Sequence, residues 1–381
     1  MTLSSDELSR YSRHLIMPDV GLEGQEKLKA AHVLCIGTGG LGSPIGLYLA
    51  AAGVGHLGLV DFDVIDTTNL QRQVAFTTAD INKSKVETTQ QRLQALNPFI
   101  EITAHNTRLT SENALDILGK YDVVVDGTDN FATRYLVNDA CVLLGKPLVH
   151  GSIHQFDGQL SVFDARRGPC YRCLYAVPPP PNMAPSCAEA GVLGVLPAVI
   201  GSLQATEAIK LVIGKGDPLI GRLMLFNALK MSFRTLNLRK KPACPICGTH
   251  PTISQLIDYE EFCGSPGAKQ NNLTVQEDEV SAEELKAILG AETPVTLIDV
   301  REPYENEICR LNPSTLIPMK SLLDNVDQLD VAKEYILYCR TGARSRQALD
   351  LLKSSGFKRV KHLKGGILEW ADKVDPSLPR Y

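Results

Sequence analysis

HVLCIGTGGLG, residues 32–42, decides the fold class of this 381-residue chain. HVLCIG reads as a short buried strand. GTGGLG (37–42) follows it directly, and PIGLYLAAAG (44–53) reads as an apolar helix ended by Gly53. Glycines between a strand and a helix let the backbone approach a phosphate, which then sits at the helix N-terminus. HLGLVDFD (56–63) is the next strand. Asp61 lies at its end, about 20 residues past the glycines, where a carboxylate can hold ribose hydroxyls. A glycine turn of this kind alone suits NAD or FAD as well as ATP.

The rhythm continues outward. INKSKVETTQQRLQALN (81–97) is a helical pattern stopped by Pro98. YDVVVDGTDN (121–130) and KPLVHGSI (146–153) are strand-like, with a helix between them. GQLSVFDA (158–165) and RLMLFNAL (222–229) read as later strands flanking an apolar helix near 197–213. Such alternation predicts an α/β fold with a mainly parallel sheet covered by helices. The composition changes near residue 240, and residues 251–275 read as a linker. A second α/β pattern then fills 276–381. SAEELKAILG (281–290) is a helix with Ser281 as N-cap and Glu284 three residues on. TLIDV, STLIPM and YILYC are strands, and RSRQALDLLKSSG and ILEWADK are helices.

Bulk properties fit two ordinary globular domains: 44% hydrophobic and 22% charged residues, net charge −4 and pI near 6.1. That charge gives no general attraction to nucleic acid. The stretch 190–214 is interrupted by Pro197, Gln204, Glu207 and Lys210, which favours a buried helix over a membrane span. MTLSSDELSRYSRH carries no apolar leader, so the expectation is a cytoplasmic protein. Its ten cysteines should then serve as thiols, metal ligands or catalysts rather than disulfides.

Residues beyond the glycine turn shift the balance toward ATP. Cleavage of a triphosphate needs cations, and Arg72 in NLQRQ (69–73) and Lys85 in INKSK are placed for it. Asp129 in DGTDN could hold Mg²⁺ between phosphates. The bland reading makes Arg72 and Lys85 solvated surface residues and Asp129 a helix cap. CYRC (170–173) and CPIC (244–247) are two CxxC pairs. Cys170, Cys173, Cys244 and Cys247 could close a tetrahedral Zn²⁺ shell with no open position, a structural staple. A redox pair is the rival reading, and two similar pairs flanked by turn residues favour zinc.

The second chemical site is CRTGARSR, 339–346, directly after the apolar run YILY. A cysteine at a strand end, a tight loop with Arg340 and Arg344, and a helix start together favour an anionic sulfur, thiolate or persulfide. A phosphatase loop places five residues between cysteine and arginine; here only four separate Cys339 from Arg344. The smaller ring of amides suits sulfur better than a phosphate. Cys35, Cys141, Cys263 and Cys309 lack such surroundings and read as packing residues. His150 and His154 read as hydrogen-bonded structural residues rather than ligands.

Taken together, RYSRH, GQEKL, GTGGLG, DFD, NLQRQ, GTDN, CYRC, SCAEAGVLG and CPIC make residues 1–250 resemble the family that activates ubiquitin-like proteins, in its bacterial type. That type includes the molybdopterin-synthase and thiamine sulfur-carrier adenylyltransferases. Residues 276–381, from IDVREPYE through YCRTGARS to HLKGGILEW, resemble a rhodanese domain. The resemblance implies a Rossmann-like ATP-binding domain fused to a smaller α/β rhodanese domain. It implies that Gly40, Asp61, Asp63, Asn69, Leu70, Gln71, Arg72 and Lys85 bind ATP, with Asp129 and Asn130 near the phosphates and Mg²⁺. It implies that Arg13 reaches the nucleotide site of a partner subunit in a homodimer. Cys187 falls where the family carries its thioester or acyl-disulfide cysteine, and Cys339 would carry sulfur as a persulfide. The expected reaction is adenylation of the C-terminal Gly-Gly carboxylate of a ubiquitin-like sulfur carrier. Sulfur transfer would follow, from a donor such as a cysteine desulfurase or thiosulfate, to give a thiocarboxylate. The alternatives are an NAD-linked oxidoreductase with a redox-sensing thiol domain and a non-catalytic carrier-binding scaffold.

Overall fold

Strand β1 (His32–Ile36) is buried on both faces, with Val33 and Leu34 fully covered, so it must lie centrally in a sheet. The computed structural model, described for residues 2–179, 191–264, 278–291 and 295–381, places it there and divides the chain into two compact units. In the first unit β1 leads through helix α1 (Gly42–Ala52) to β2 (His56–Asp61). Then come α2 (Lys85–Leu96), β3 (Glu101–Asn106), β4 (Val123–Asp126), α3 (Phe131–Leu144), β5 (Leu148–His154) and β6 (Asp157–Phe163). Helix α4 (Leu196–Ile213) and strands β7 (Arg222–Asn227) and β8 (Ser232–Asn237) follow. The sheet order is β3-β2-β1-β4-β5-β6-β7-β8. Strands β3 to β5 in that order are parallel, and β5 to β8 are antiparallel.

Strand β1 pairs with β2 on one side and β4 on the other, Val33 lying opposite Leu57 and Val123. The chain direction of winding reverses there, which opens a crevice at the carboxyl ends of β1 and β4. Both faces are packed. Ile45, Leu49, Leu93, Ile200 and Ala208 fill one side, and Leu34, Val60, Tyr135 and Val137 the other. Truncating a fully buried leucine such as Leu49 to alanine should cost about 2–5 kcal/mol. Helix α4 has the length and apolar composition of a membrane span, and half of it is buried in this unit. Gln204 on α4 donates from Nε2 to the Asp126 carbonyl at 2.7 Å, which fixes the helix beneath the crevice.

In the second unit β9 (Glu279–Val280) precedes α5 (Ala282–Gly290), β10 (Val295–Asp299), α6 (Pro303–Ile308) and β11 (Thr315–Leu316). Then β12 (Glu334–Tyr338), α7 (Ala343–Ser354), β13 (Val360–Leu363) and α8 (Gly366–Lys373) complete it. The sheet, ordered β11-β10-β12-β13-β9, is all parallel. Leu337, Leu349 and Leu352 pack one face, and Leu285, Ile336 and Ile367 the other. The Ser281–Glu284 capping box forms as the sequence predicts.

Some boundaries differ from the sequence reading. The helical pattern from 81 begins only at Lys85, because Asn82 adopts a left-handed φ of 69° and Ser84 caps the helix. Strand β8, mostly exposed, completes a hairpin that the sequence did not signal. Residues 251–264, read as the start of a linker, pack on the first unit: Tyr259 is buried and its hydroxyl donates to Asp139 at 2.8 Å.

Candidate active sites

The loop after β1 is pinned to the end of β2. Thr38 donates from its backbone N–H (2.8 Å) and from Oγ1 (2.9 Å) to Asp61 Oδ2. The Asp63 N–H donates to Asp61 Oδ1 at 2.9 Å. Oδ2 is filled by the two Thr38 bonds, while Oδ1 accepts one and keeps acceptor capacity, so Asp61 is oriented without being used up. The turn is tight: a Cβ at Gly42 would lie 2.0 Å from the Gly37 carbonyl oxygen, so only glycine permits this path. Gly40 faces Arg72, whose Cδ would sit 3.8 Å from a Cβ there. Arg72 Nη1 donates to the Thr68 carbonyl at 2.9 Å. Asn69 accepts the Asp66 N–H through Oδ1 at 3.1 Å and so shapes the NLQRQ turn. Leu70 packs on Ile65, Ala75 and Phe76, and Gln71 is exposed.

Lys85 is no solvated surface lysine. Its side chain is 9% exposed, and Nζ lies 2.9 Å from Asp63 Oδ2. The loop after β4 adjoins the glycine turn, since a Cβ at Gly37 would meet the Gly127 carbonyl oxygen at 3.1 Å. Asp129 is exposed there. The helix cap is the next residue, Asn130, which accepts the Thr133 N–H. The structure therefore gathers Gly40, Asp61, Asp63, Arg72 and Lys85, with Asp129 and Asn130 on the adjoining loop. Arg13 is exposed on the short helix Ser12–Leu15, and among the described residues no hydrogen bond or ion pair ties it to that set. Cys187 lies outside the described residues.

Sequence reasoning gave no role here to Asp126, and took its partner His150 only as structural. Both are buried, with His150 Nδ1 3.0 Å from Asp126 Oδ2. Burial alone would raise the Asp126 carboxyl; bonds from His150 and Thr128 outweigh it and hold the carboxyl below its ordinary value. Asp126 Oδ1 accepts the Thr128 N–H and hydroxyl, so the pair anchors the loop that presents Asp129.

Cys170, Cys173, Cys244 and Cys247 come together as predicted, their Sγ atoms all within 4.8 Å of one another. Cys170 and Cys244 are 3.6 Å apart, and Cys173 and Cys247 3.4 Å. A tetrahedral zinc with bonds of about 2.3 Å has sulfur–sulfur edges of about 3.8 Å, so four buried thiols at these spacings fit that ion. The Lys241 N–H donates to Cys173 Sγ at 3.4 Å, a further stabilisation of a thiolate.

In the second unit Cys339 follows β12 and is fully buried. The Gly342 N–H donates to its Sγ at 3.1 Å. Gly342 has a φ of 95°, which turns that amide inward, and Ser345 Oγ donates back to the Gly342 carbonyl at 3.0 Å. The N-terminus of α7 begins one residue later. Arg344 is clamped by Glu305 through two bonds of 2.6 and 2.7 Å. Glu305, within the quoted IDVREPYE stretch, had been given no role. The bonds to Glu305 raise the Arg344 guanidinium above its ordinary value, keeping a fixed cation beside the sulfur. Cys35 and Cys141 are buried in packing clusters, and burial pushes the Cys35 thiol up to about 12.

A glycine turn bordered by strand-end carboxylates and cations suits nucleotidyl transfer, and a buried cysteine whose sulfur accepts a loop amide at a helix start suits sulfur transfer. The two units thus define a double transferase. Residues 11–246 match the ThiF family and 281–373 the rhodanese-like domain. The chain belongs to the ThiF family and is an enzyme, an adenylyltransferase and sulfurtransferase. It is 49% identical over its full length, and over 96% of the relative, to a probable adenylyltransferase/sulfurtransferase, MoeZ, of Mycobacterium tuberculosis. It is 43% identical, again over its full length and 90% of the relative, to the adenylyltransferase and sulfurtransferase MOCS3 of Culex quinquefasciatus. Over 69% of its length it is 58% identical to 99% of a sulfur carrier protein adenylyltransferase of Thermus thermophilus. The solved structure of E. coli MccB with ATP superposes with a TM-score of 0.57, at 25% identity, over 64% of this chain and 75% of that one.

Proposed function

We propose that this enzyme adenylates the C-terminal Gly-Gly carboxylate of a ubiquitin-like sulfur carrier and then delivers sulfur to it from Cys339. The observation that carries the reading is that one chain holds both a nucleotide crevice with a buried, tethered Lys85 and a buried Cys339 whose sulfur accepts the Gly342 amide. A carboxylate is a poor electrophile. Attack of its oxygen on the α-phosphorus of ATP forms an acyl adenylate and releases pyrophosphate. Gly40 and the turn amides would cradle phosphates, Asp61 the ribose, and Arg72 and Lys85 the charge developing on the transferring groups. Asn69, Leu70 and Gln71 would shape the nucleotide wall. Asp63, Asp129 and Asn130 are oxygen donors suited to Mg²⁺, which supplies charge neutralisation when bound. Arg13 would act across a homodimer.

Cys339 would take a sulfane sulfur either from thiosulfate, with sulfite leaving, or from the persulfide of a cysteine desulfurase. Its terminal sulfur then attacks the acyl carbon, AMP leaves, and an acyl disulfide forms. A second thiol, Cys187 or an external one, attacks the Cys339 sulfur and releases the thiocarboxylate. The four-cysteine zinc would be structural. The test is ATP–pyrophosphate exchange against a panel of carriers ending in Gly-Gly, followed by mass analysis of the carrier. Exchange that depends on a carrier, and sulfur gain that depends on Cys339, support the reading. A chain that leaves ATP uncleaved with every carrier excludes it.

A further inference from the structure

Three features outside the described chemistry stand out: the stacked His32–His56 pair beside Lys120, the buried Asp126–His150 pair, and the aromatic ring of Tyr381. The last is tied to a reactive site by the most contacts. We propose that Tyr381 is a positioning residue of the sulfur-transfer site, seating Arg340 and Arg344 beside Cys339. The inference rests on the reading of Cys339 as the sulfur-bearing residue.

Tyr381 lies beyond residues 281–373, the part that matches the rhodanese-like domain. Its ring is shared by two guanidinium groups, Arg340 at 5.5 Å and Arg301 at 5.7 Å from the centroid. Arg340 Nε donates to the Tyr381 backbone oxygen. The Tyr381 hydroxyl accepts from Arg301 Nη1 and reaches Glu305 Oε1 at 3.4 Å. Glu305 is the residue that clamps Arg344. Arg301 is itself immobile: it and Asp299 are fully buried, joined by Nε–Oδ1 at 2.8 Å. One side chain therefore links a rigid buried ion pair to both arginines of the loop.

Arginines on a short loop have many rotamers, and ordering them in advance lowers what sulfur transfer must spend on organisation. The cation–π faces hold Arg340 laterally, and the hydroxyl completes the shell of Glu305. Without the Tyr381 side chain Arg340 would lose its ring partner, and the Glu305 carboxylate that clamps Arg344 would lose one of its contacts. An anionic donor would then bind less well, and the anionic sulfur would lose part of its stabilising field.

The experiment uses the full chain, thiosulfate as donor and cyanide as acceptor. Sulfane sulfur passes to Cys339 as sulfite leaves, and cyanide removes it as thiocyanate. Tyr381→Phe deletes only the hydroxyl and keeps the ring, so folding is preserved. It should lower kcat/KM about three- to tenfold, the worth of one polar contact, with a raised KM for thiosulfate. Tyr381→Ala should lose more, about tenfold to a hundredfold, since the stacking is also removed. ATP–pyrophosphate exchange should stay at the wild-type rate in both. Wild-type kcat/KM in both variants overturns the proposal. So does a loss confined to kcat that tracks the folded fraction by circular dichroism, because a merely structural role moves kcat and leaves KM alone. Cys339→Ala in the same assay separates the two levels: turnover surviving there removes the site reading itself, whatever Tyr381 does.

Discussion

Replacing Lys85 by methionine separates a catalytic cation from a structural one. The Lys85 side chain is 9% exposed, while its partner Asp63 is 52% exposed at 2.9 Å. Methionine retains most of the buried stem, so packing changes little. Asp63, once unpaired, is open enough to be hydrated, so the lost ion pair should cost less than about 1 kcal/mol of stability. The catalytic term should be far larger. A fixed, largely covered cation aimed at charge that develops in the transition state is worth about 2.7–4 kcal/mol, or about 10²–10³ in rate. The assay pairs carrier-dependent ATP–pyrophosphate exchange with thermal melting. Exchange should fall at least a hundredfold while melting moves by only a few degrees. Exchange within about threefold of wild type would refute the assignment of Lys85 to the phosphates. A collapse of melting of matching size would make the lysine structural.

Gly42→Ala should abolish exchange and destabilise the first unit, because its Cβ would sit 2.0 Å from the Gly37 carbonyl oxygen; exchange and melting together check it. With zinc on the four-cysteine cluster, a chelator should lower the melting transition of the first unit and leave thiosulfate:cyanide transfer by the second intact, as differential scanning calorimetry and a thiocyanate assay can read; melting unchanged by the chelator would remove the zinc reading. Glu305 predicts acid sensitivity of the second unit. Burial works to raise its carboxyl, but the Arg344 bonds outweigh burial and hold it below its ordinary value of 4.5. A folded-state value below the unfolded one means that the stabilisation is complete above about pH 4.5 and fades as pH falls below it. Glu305→Gln should flatten that part of the melting-versus-pH curve.

Much of the architecture was legible because it rests on local patterns. The strand–glycine–helix order at 32–53 and the capping box at Ser281 are encoded within a few residues, and the structure reproduces them. The four-cysteine cluster was legible for the same reason, two short knuckles of fixed spacing. Partners remote in sequence were not. Glu305 meets Arg344 across 39 residues, Tyr381 meets Glu305 across 76, and Gln204 reaches Asp126 across 78. No periodicity or turn signal reports such contacts; they follow from how helices and the chain after the last helix pack in the folded units. Strand β8 escaped notice because five of its six residues are exposed and no apolar alternation marks them. Lys85 was legible as a candidate cation, with a solvated surface lysine as the rival reading, and only the fold reveals that its stem is covered.

The most direct test of the whole account loads Cys339 with isotopically labelled sulfur, removes free donor, and adds a Gly-Gly carrier with or without ATP. Labelled sulfur should appear at the carrier's terminal carboxyl only when ATP is present, and none should appear from Cys339→Ala. Label appearing on the carrier without ATP, or equally well from the cysteine variant, would contradict it.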